Sequence, residues 1–103
     1  MKKIIVLGAG MVGSAMAIDL SEAYNVTVSD FCEDALQNTK QKCPSLNTLK
    51  VDVTNTSQLT SILEPFDLVV CAVPGFLGYE TLKTIINSKK DVVDISFFPE
   101  NAL

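Results

Sequence analysis

A glycine-rich loop near the N-terminus constrains the fold of this chain more than any other feature. The apolar run of residues 4–7 leads directly into the G-A-G-M-V-G loop of residues 8–13, and a helix-compatible segment follows without a spacer. In such a strand–loop–helix unit the first glycine permits the tight turn, the second lets a pyrophosphate approach bare backbone, and the third lets the helix pack closely on the strand. The helix N-terminus adds N–H groups and a partial positive charge. The motif therefore predicts a bound dinucleotide.

The remainder of the chain alternates between short strands and helices. Strands are predicted at residues 4–7, 26–29, 48–53, 67–73 and 91–95, and helices at residues 11–23, 33–42, 57–64 and 77–87. Strict alternation favours a parallel sheet with right-handed crossover connections. We therefore expect one dinucleotide-binding α/β domain over residues 1–103. Its sheet is expected to be Rossmann-like and doubly wound, with strand order 3-2-1-4-5 and helices on both faces.

The spacing of apolar residues predicts which side chains these elements bury. The first helix is expected to pack through Val12, Ala15, Met16, Ile18 and Leu20. The third strand is expected to place Leu49, Val51 and Val53 on one face, and the last helix to turn Leu82, Ile85 and Ile86 inward. Residues 67–73 are almost purely apolar, which is typical of a central strand covered on both sides. Thr56 is the expected cap of the third helix, with Thr54 and Asn55 as alternatives.

Composition and charge exclude several classes of function. The net charge is −4 and the basic runs do not exceed the pairs Lys2-Lys3 and Lys89-Lys90, so neither nucleic acid nor an anionic membrane surface is an expected partner. The apolar fraction is 48%, yet no stretch is long enough to span a bilayer. The chain has no histidine, which rules out a His-bearing metal site and a His-based triad within it. Its three cysteines have no C-x-x-C spacing and are expected to be reduced thiols in a cytoplasmic protein.

Asp30 is the acidic residue that the glycine-rich motif requires. It ends the second predicted strand, 22 positions after Gly8. An acid at about this distance accepts hydrogen bonds from the adenosine ribose hydroxyls, and its charge repels a 2′-phosphate. The chain also has no arginine to grip that phosphate. These features predict NAD rather than NADP, although Asp30 could instead cap the following helix, or do both.

Two further segments are expected to border the cofactor. Asp52 and Val53 close the third strand where an adenine would lie, but Asp52 is equally well explained as an Asx turn before the next helix. Ala72, Val73 and Pro74 leave the fourth strand beside the glycine loop, although strand termination alone explains the proline. The predicted cofactor-binding set is Gly8, Ala9, Gly10, Met11, Val12, Gly13, Asp30, Phe31, Asp52, Val53, Ala72, Val73 and Pro74. Neither catalytic residues nor a metal site can be assigned.

Together these segments resemble the N-terminal cofactor-binding domain of the saccharopine dehydrogenase family, especially its lysine 6-dehydrogenase-like branch. The matching stretches are VLGAGMVG at 6–13, VDV at 51–53, DLVVCAVP at 67–74 and VVDISFFPE at 92–100. The first is common to many dehydrogenases, whereas the last two are more specific. The resemblance implies that the set above lines the cofactor and that hydride passes from an amine carbon of an amino acid to nicotinamide. It also implies a second domain, outside these residues, that supplies most of the substrate site and forms a homo-oligomer.

A regulatory interpretation competes with the enzymatic one. Nucleotide-sensing domains that gate potassium transport use a similar five-strand start and an acid after the second strand, without chemistry. The V-P-G break at residues 73–75 and the ending at residues 96–100 favour a chain that continues into a catalytic domain. We therefore expect an N-terminal fragment of a two-domain oxidoreductase that does not turn over substrate alone.

Overall fold

The computed structural model describes residues 2–73 and 75–95, and it contains the predicted alternation of strands and helices. The strands are β1 (Lys3–Leu7), β2 (Asn25–Asp30), β3 (Asn47–Lys50), β4 (Leu68–Cys71) and β5 (Asp91–Asp94). The helices are α1 (Met11–Leu20), α2 (Glu33–Lys42), α3 (Thr56–Leu63) and α4 (Gly75–Asn87). The resemblance stretch at residues 92–100 lies partly outside the described residues.

The strands form one five-stranded sheet in the order β3-β2-β1-β4-β5. Each neighbouring pair is parallel, with Val6 of β1 level with Val28 of β2 and with Val70 of β4. The predicted fold class and strand order are therefore confirmed. The order reverses between β1 and β4, where open α/β sheets bind their ligands at the carboxyl ends of the strands.

The apolar core divides into two clusters because successive strand side chains point to opposite faces of the sheet. One face packs against α1 and α2, and its buried residues are Ile4, Val6, Ala9, Ala17, Val26, Val28, Leu36, Leu46 and Val70. The other face packs against α3 and α4, and its buried residues are Ile5, Leu7, Val51, Leu59, Leu63, Val69, Cys71, Val73 and Ile85. Helices thus cover both faces, as predicted, and β1 and β4 are buried on both sides as their apolar sequences require.

The packing face predicted for α1 is partly wrong, because it includes Ala15 and leaves out Gly13 and Ala17. Gly13 and Ala17 are the buried residues of this helix, whereas Ala15 is exposed. Apolar residues occur all around α1, so periodicity alone cannot choose the inward side. The close approach at Gly13 decides it, because residue 17 lies one turn further along the same face.

The third strand and the last helix also depart from their predicted patterns. β3 ends at Lys50, and Leu49 is 37% exposed in this strand, which lies at the edge of the sheet. Val51, just beyond the strand, is buried in the α3/α4 cluster. In α4, Ile85 is fully buried but Ile86 is 56% exposed, so the inward position predicted for Ile86 is wrong.

The cap of α3 is Asn55, one of the two alternatives to Thr56. Its side-chain oxygen accepts a hydrogen bond from the Gln58 N–H at 3.1 Å. Thr56 is the first residue of the helix itself. An Asn at the N-cap satisfies a donor that the first turn of a helix leaves without an intrahelical partner.

Candidate dinucleotide-binding site

The glycine loop joins the carboxyl end of β1 to α1, and the fold itself requires two of its glycines. Gly8 has φ +108°, and a Cβ there would lie 2.8 Å from the Ala72 carbonyl oxygen. A Cβ on Gly13 would overlap the Gly8 carbonyl oxygen and lie 3.3 Å from the Ala72 Cβ. Gly13 thus brings α1 against the loop and the end of β4.

The backbone conformation of Gly10 does not require glycine. It is the N-cap of α1, exposed, with φ −71° and ψ −168°, a conformation that any residue adopts. It provides no capping side chain, and the first turn of α1 has no acidic residue. By contrast, the first turn of α2 has Glu33 and Asp34. The positive end of α1 therefore has no carboxylate of its own first turn beside it, which suits an anionic ligand.

Asp30 ends β2 directly beside the glycine loop. Its Oδ2 accepts a hydrogen bond from the Ala9 N–H at 2.7 Å, and its Oδ1 accepts one from the Cys32 N–H at 2.8 Å. The N-cap of α2 is Cys32, so Asp30 binds the amide two residues on and is not the helix cap itself. The carboxylate therefore contacts the loop that is expected to hold a pyrophosphate, in the place where an adenosine ribose would lie.

A cavity of about 370 Å³ lies at the carboxyl ends of β1, β2, β3 and β4. It brings together six of the predicted residues, which are Gly8, Asp30, Phe31, Asp52, Val53 and Val73. Most of its wall is apolar, with Asp30 and Asp52 as its charged members. An apolar slot with a few fixed polar groups matches the general requirement for a flat heteroaromatic ring joined to a sugar.

Asp52 makes the Asx turn that was one of its two interpretations. Its Oδ1 accepts hydrogen bonds from the Thr54 N–H at 3.0 Å and from the Thr54 hydroxyl at 2.5 Å. These bonds favour the charged carboxylate and lower the pKa of Asp52 below its ordinary value, with the hydroxyl as the larger cause. The same residue lines the cavity, so the turn does not exclude a contact with adenine.

Phe31 forms an exposed wall of the cavity. The residue is 66% exposed, and the Lys50 ammonium nitrogen lies 5.3 Å from the centre of its ring. Lys50 is level with Asp30 on the neighbouring strand. This geometry fits a cation–π contact, and it places one positive charge near the edge of the predicted ribose position.

The other predicted residues occupy different positions around the loop. Ala9, Gly10 and Met11 border a separate groove between α1 and α2, with Met11 76% exposed. Val12 is half-buried in the first turn of α1. Ala72 is buried under Gly8, and its N–H donates to the Leu7 carbonyl at 2.8 Å. Pro74 lies outside the described residues.

Sequence reasoning missed several residues of the cavity wall, namely Ser29, Val51, Thr54 and Leu77. Ser29 and Val51 are next to predicted residues in the chain, so the sequence correctly indicated that the ends of β2 and β3 line the cavity. Leu77 lies in the first turn of α4, which begins shortly after β4, and it follows the predicted Val73 by only four residues. Lys50 was missed as well, although it is separated from Asp52 by one residue.

A comparison with known protein families identifies the family of this chain. Residues 4–102 match the family described as "Saccharopine dehydrogenase NADP binding domain". The chain belongs to the saccharopine dehydrogenase family. The part that matches is the NAD(P)-binding domain of this family, in agreement with the glycine loop, the strand order and the position of Asp30.

Two relatives support this assignment. The chain is 32% identical over 100 residues to the mitochondrial alpha-aminoadipic semialdehyde synthase of Rattus norvegicus, covering 93% of this chain and 11% of the rat protein. It is 30% identical to saccharopine dehydrogenase (L-Glu forming) of Saccharomyces cerevisiae, with a TM-score of 0.78. That match covers 97% of this chain and 23% of the yeast protein. The chain thus spans less than a quarter of either relative.

More distant solved structures share the fold alone. Pen from Bacillus thuringiensis is 18% identical, with a TM-score of 0.74 over 90% of this chain and 36% of that protein. The family match and the rat and yeast relatives give no support to the potassium-transport interpretation. In the part of the chain that the structure describes, no helix has the length and apolar character to cross a membrane.

Proposed function

We propose that this chain is the NAD-binding domain of an amino-acid oxidoreductase of the saccharopine dehydrogenase type. In the complete enzyme, hydride would pass from the carbon that bears an amine to the nicotinamide ring. We take the substrate class from the two relatives, whose names refer to saccharopine and to alpha-aminoadipic semialdehyde. The domain alone is expected to bind cofactor without turning over substrate.

The observation that carries the proposal is the position of the Asp30 carboxylate. It lies 2.7 Å from the Ala9 amide nitrogen of the glycine loop and also lines the apolar cavity. A dinucleotide bound at the N-terminus of α1 would place its pyrophosphate on the loop and its adenosine in this cavity. Asp30 would then accept hydrogen bonds from the ribose hydroxyls.

The preference for NAD over NADP is part of the proposal and rests on charge. A 2′-phosphate would bring a second negative group against Asp30, and the chain has no arginine to compensate it. Lys50 is the cation that opposes this argument, since it is level with Asp30 across β2 and β3. Its ammonium group lies over the Phe31 ring. The family description names NADP, so the two cofactors must be compared directly.

Calorimetric titration of the full chain with NADH and with NADPH tests the proposal. We expect NADH to bind more tightly. Asp30→Ala is expected to weaken NADH binding about 10- to 100-fold, because hydrogen bonds to a charged group contribute about 1.5–3 kcal/mol. The same substitution is expected to reduce the discrimination against NADPH. Asp67→Asn is the matched control, since it removes the same charge at the opposite end of the sheet, where Asp67 accepts from the Lys3 N–H.

The possible outcomes separate the two parts of the proposal. Absence of binding by both cofactors would overturn the dinucleotide function. Tighter binding of NADPH, abolished by Lys50→Met, would leave the function intact and reverse the cofactor preference. Equal loss of NADH binding in Asp30→Ala and Asp67→Asn would show that net charge, and not the ribose contact, is responsible.

The activity of the complete protein is proposed from the family. An amino-acid substrate, a second domain that forms a homo-oligomer and a cytoplasmic location all belong to this proposal. Spectrophotometric assay of the complete protein with saccharopine and with lysine, following reduction of NAD, tests the substrate class. Reduction with neither substrate, in a protein that binds NADH, would limit the proposal to cofactor binding.

A further inference from the structure

Two hydroxyl groups connect the glycine loop to α2 on the outer side of the loop. The Ser14 hydroxyl, in α1, donates to the Ala9 carbonyl oxygen at 2.9 Å. Its Oγ lies 2.7 Å from the Oγ1 of Thr39 in α2, and Thr39 is 2% exposed. Neither residue is part of the G-x-G-x-x-G pattern. The contacts nevertheless lead from α2 to the residue between the first two glycines.

The protons of the two hydroxyl groups can be placed so that the Ala9 carbonyl oxygen keeps its hydrogen bond. Thr39 Oγ1 is also 2.9 Å from the Ala35 carbonyl oxygen, so three contacts share two hydroxyl protons. A separation of 2.7 Å between two hydroxyl oxygens requires a proton between them. When Thr39 donates to Ser14, Ser14 keeps its proton for Ala9. The contact given up is then the one to Ala35, whose carbonyl already lies within a helix. This arrangement leaves the loop carbonyl bonded.

The bonded carbonyl fixes the orientation of the amide that follows it. The Ala9 C=O and the Gly10 N–H belong to one planar trans peptide, so they point in opposite directions. Holding the Ala9 oxygen toward Ser14 therefore turns the Gly10 N–H away from Ser14. The Ala9 N–H is held separately by the Asp30 carboxylate at 2.7 Å. Both polar groups of Ala9 are thus bonded to side chains, one from β2 and one from α1.

We propose that Ser14 and Thr39 are positioning residues for the cofactor, acting through the Ala9–Gly10 peptide. They hold the Gly10 N–H in the orientation that a pyrophosphate oxygen requires at the start of α1. Neither residue touches the cofactor. Preorganisation of this kind raises affinity because the bound geometry costs no further ordering of the loop. The inference rests on the proposed function, since it concerns the same dinucleotide site.

A double-mutant cycle on NADH affinity tests the proposal. The variants are Ser14→Ala, Thr39→Val, which is nearly isosteric and lacks the hydroxyl, and the two combined. Ser14→Ala is expected to weaken NADH binding about five- to tenfold, the effect of one ordinary hydrogen bond. Thr39→Val is expected to weaken it about twofold to fivefold in the wild-type background. In the Ser14→Ala background it is expected to have no further effect, because Thr39 acts through Ser14.

Controls distinguish positioning from a structural role. Thr39→Ser keeps the hydroxyl and is expected to retain wild-type affinity, which covers the case in which Thr39→Val does not fold. Thermal unfolding of each variant without NADH is measured in parallel. A Thr39→Val variant with a lower unfolding temperature and unchanged affinity would overturn the inference, as would equal losses of affinity in both backgrounds. Failure of the wild-type chain to bind NADH would instead overturn the proposed function.

Discussion

At the scale of single residues, the three positions of the loop require glycine for different reasons. Gly8 and Gly13 are required by the fold, since a Cβ on either would press against backbone atoms of a neighbouring segment. Gly10 adopts an ordinary extended conformation, so its backbone angles do not require glycine. The motif therefore has two glycines that the fold requires and one, Gly10, whose requirement we assign to the proposed ligand.

This difference predicts opposite effects of the same substitution. Gly10→Ala is expected to leave stability unchanged or to raise it by about 0.5 kcal/mol, because alanine restricts the unfolded chain. It is expected to weaken NADH binding at least about tenfold, because the methyl group meets the pyrophosphate. Gly13→Ala is expected to destabilise the fold by about 3 kcal/mol through overlap with the Gly8 carbonyl. Urea unfolding and calorimetry check both variants.

Two results would contradict this assignment. Unchanged NADH affinity in a stable Gly10→Ala variant would remove the ligand-based explanation for that glycine. A Gly13→Ala variant with wild-type stability would show that α1 can shift to accommodate the methyl group.

At the scale of the helix and strand, the sequence predicts the existence of elements better than their ends and inward faces. All nine elements of the described chain occur where strands and helices were predicted, because β-branched runs and proline or glycine breaks are local signals. The inward face of α1 was misassigned because its apolar residues surround the helix. Its orientation depends on the close approach of Gly13 to Gly8, which the glycine motif indicates and the spacing of apolar residues does not.

The α3 helix provides a test at this scale. Asn55→Ala removes the acceptor for the Gln58 N–H and is expected to cost about 1 kcal/mol of the free energy of unfolding. The loss is expected to lower the stability of the whole domain, because Leu59 and Leu63 of this helix are fully buried in its core. Thr56→Ala is the matched control, expected to change stability by less than about 0.5 kcal/mol, since Thr56 is exposed and its side chain does not cap the helix. Denaturant unfolding of both variants decides whether Asn55 or Thr56 is the cap.

At the scale of the whole molecule, the strand order follows from the sequence because right-handed crossovers and short connections leave few alternatives for five alternating strands. The glycine loop, Asp30 and the end of β3 were also predicted to lie in one region, since the carboxyl ends of parallel strands share an edge. The cavity wall contributed by Leu77 was not, because the direction in which α4 leaves β4 depends on its packing against α3 and β5, which no local motif specifies. Lys50 was also missed, since its contact with Phe31 depends on the register between β2 and β3, which the predicted strand order does not specify.

Two leucines close in sequence near edge strand β3 are expected to contribute very differently to stability. Leu46 is fully buried in the α1/α2 cluster, whereas Leu49 on edge strand β3 is 37% exposed. Leu46→Ala is expected to lower the free energy of unfolding by about 2–5 kcal/mol, the usual cost of a cavity in a packed core. Leu49→Ala is expected to cost less than about 1 kcal/mol. Equal losses for the two, measured by urea unfolding, would mean that β3 is covered in solution.

The Asp30 hydrogen bond to Ala9 has a consequence for changing cofactor preference by design. Removing the carboxylate to admit a 2′-phosphate also removes the acceptor that holds the loop amide. A redesigned domain therefore needs a neutral acceptor at position 30, such as serine or asparagine, while Lys50 on the neighbouring strand already supplies a cation nearby. Under the proposed function, one side chain contacts the ribose and also holds the loop amide, so a substitution at position 30 is expected to change cofactor preference and loop rigidity together.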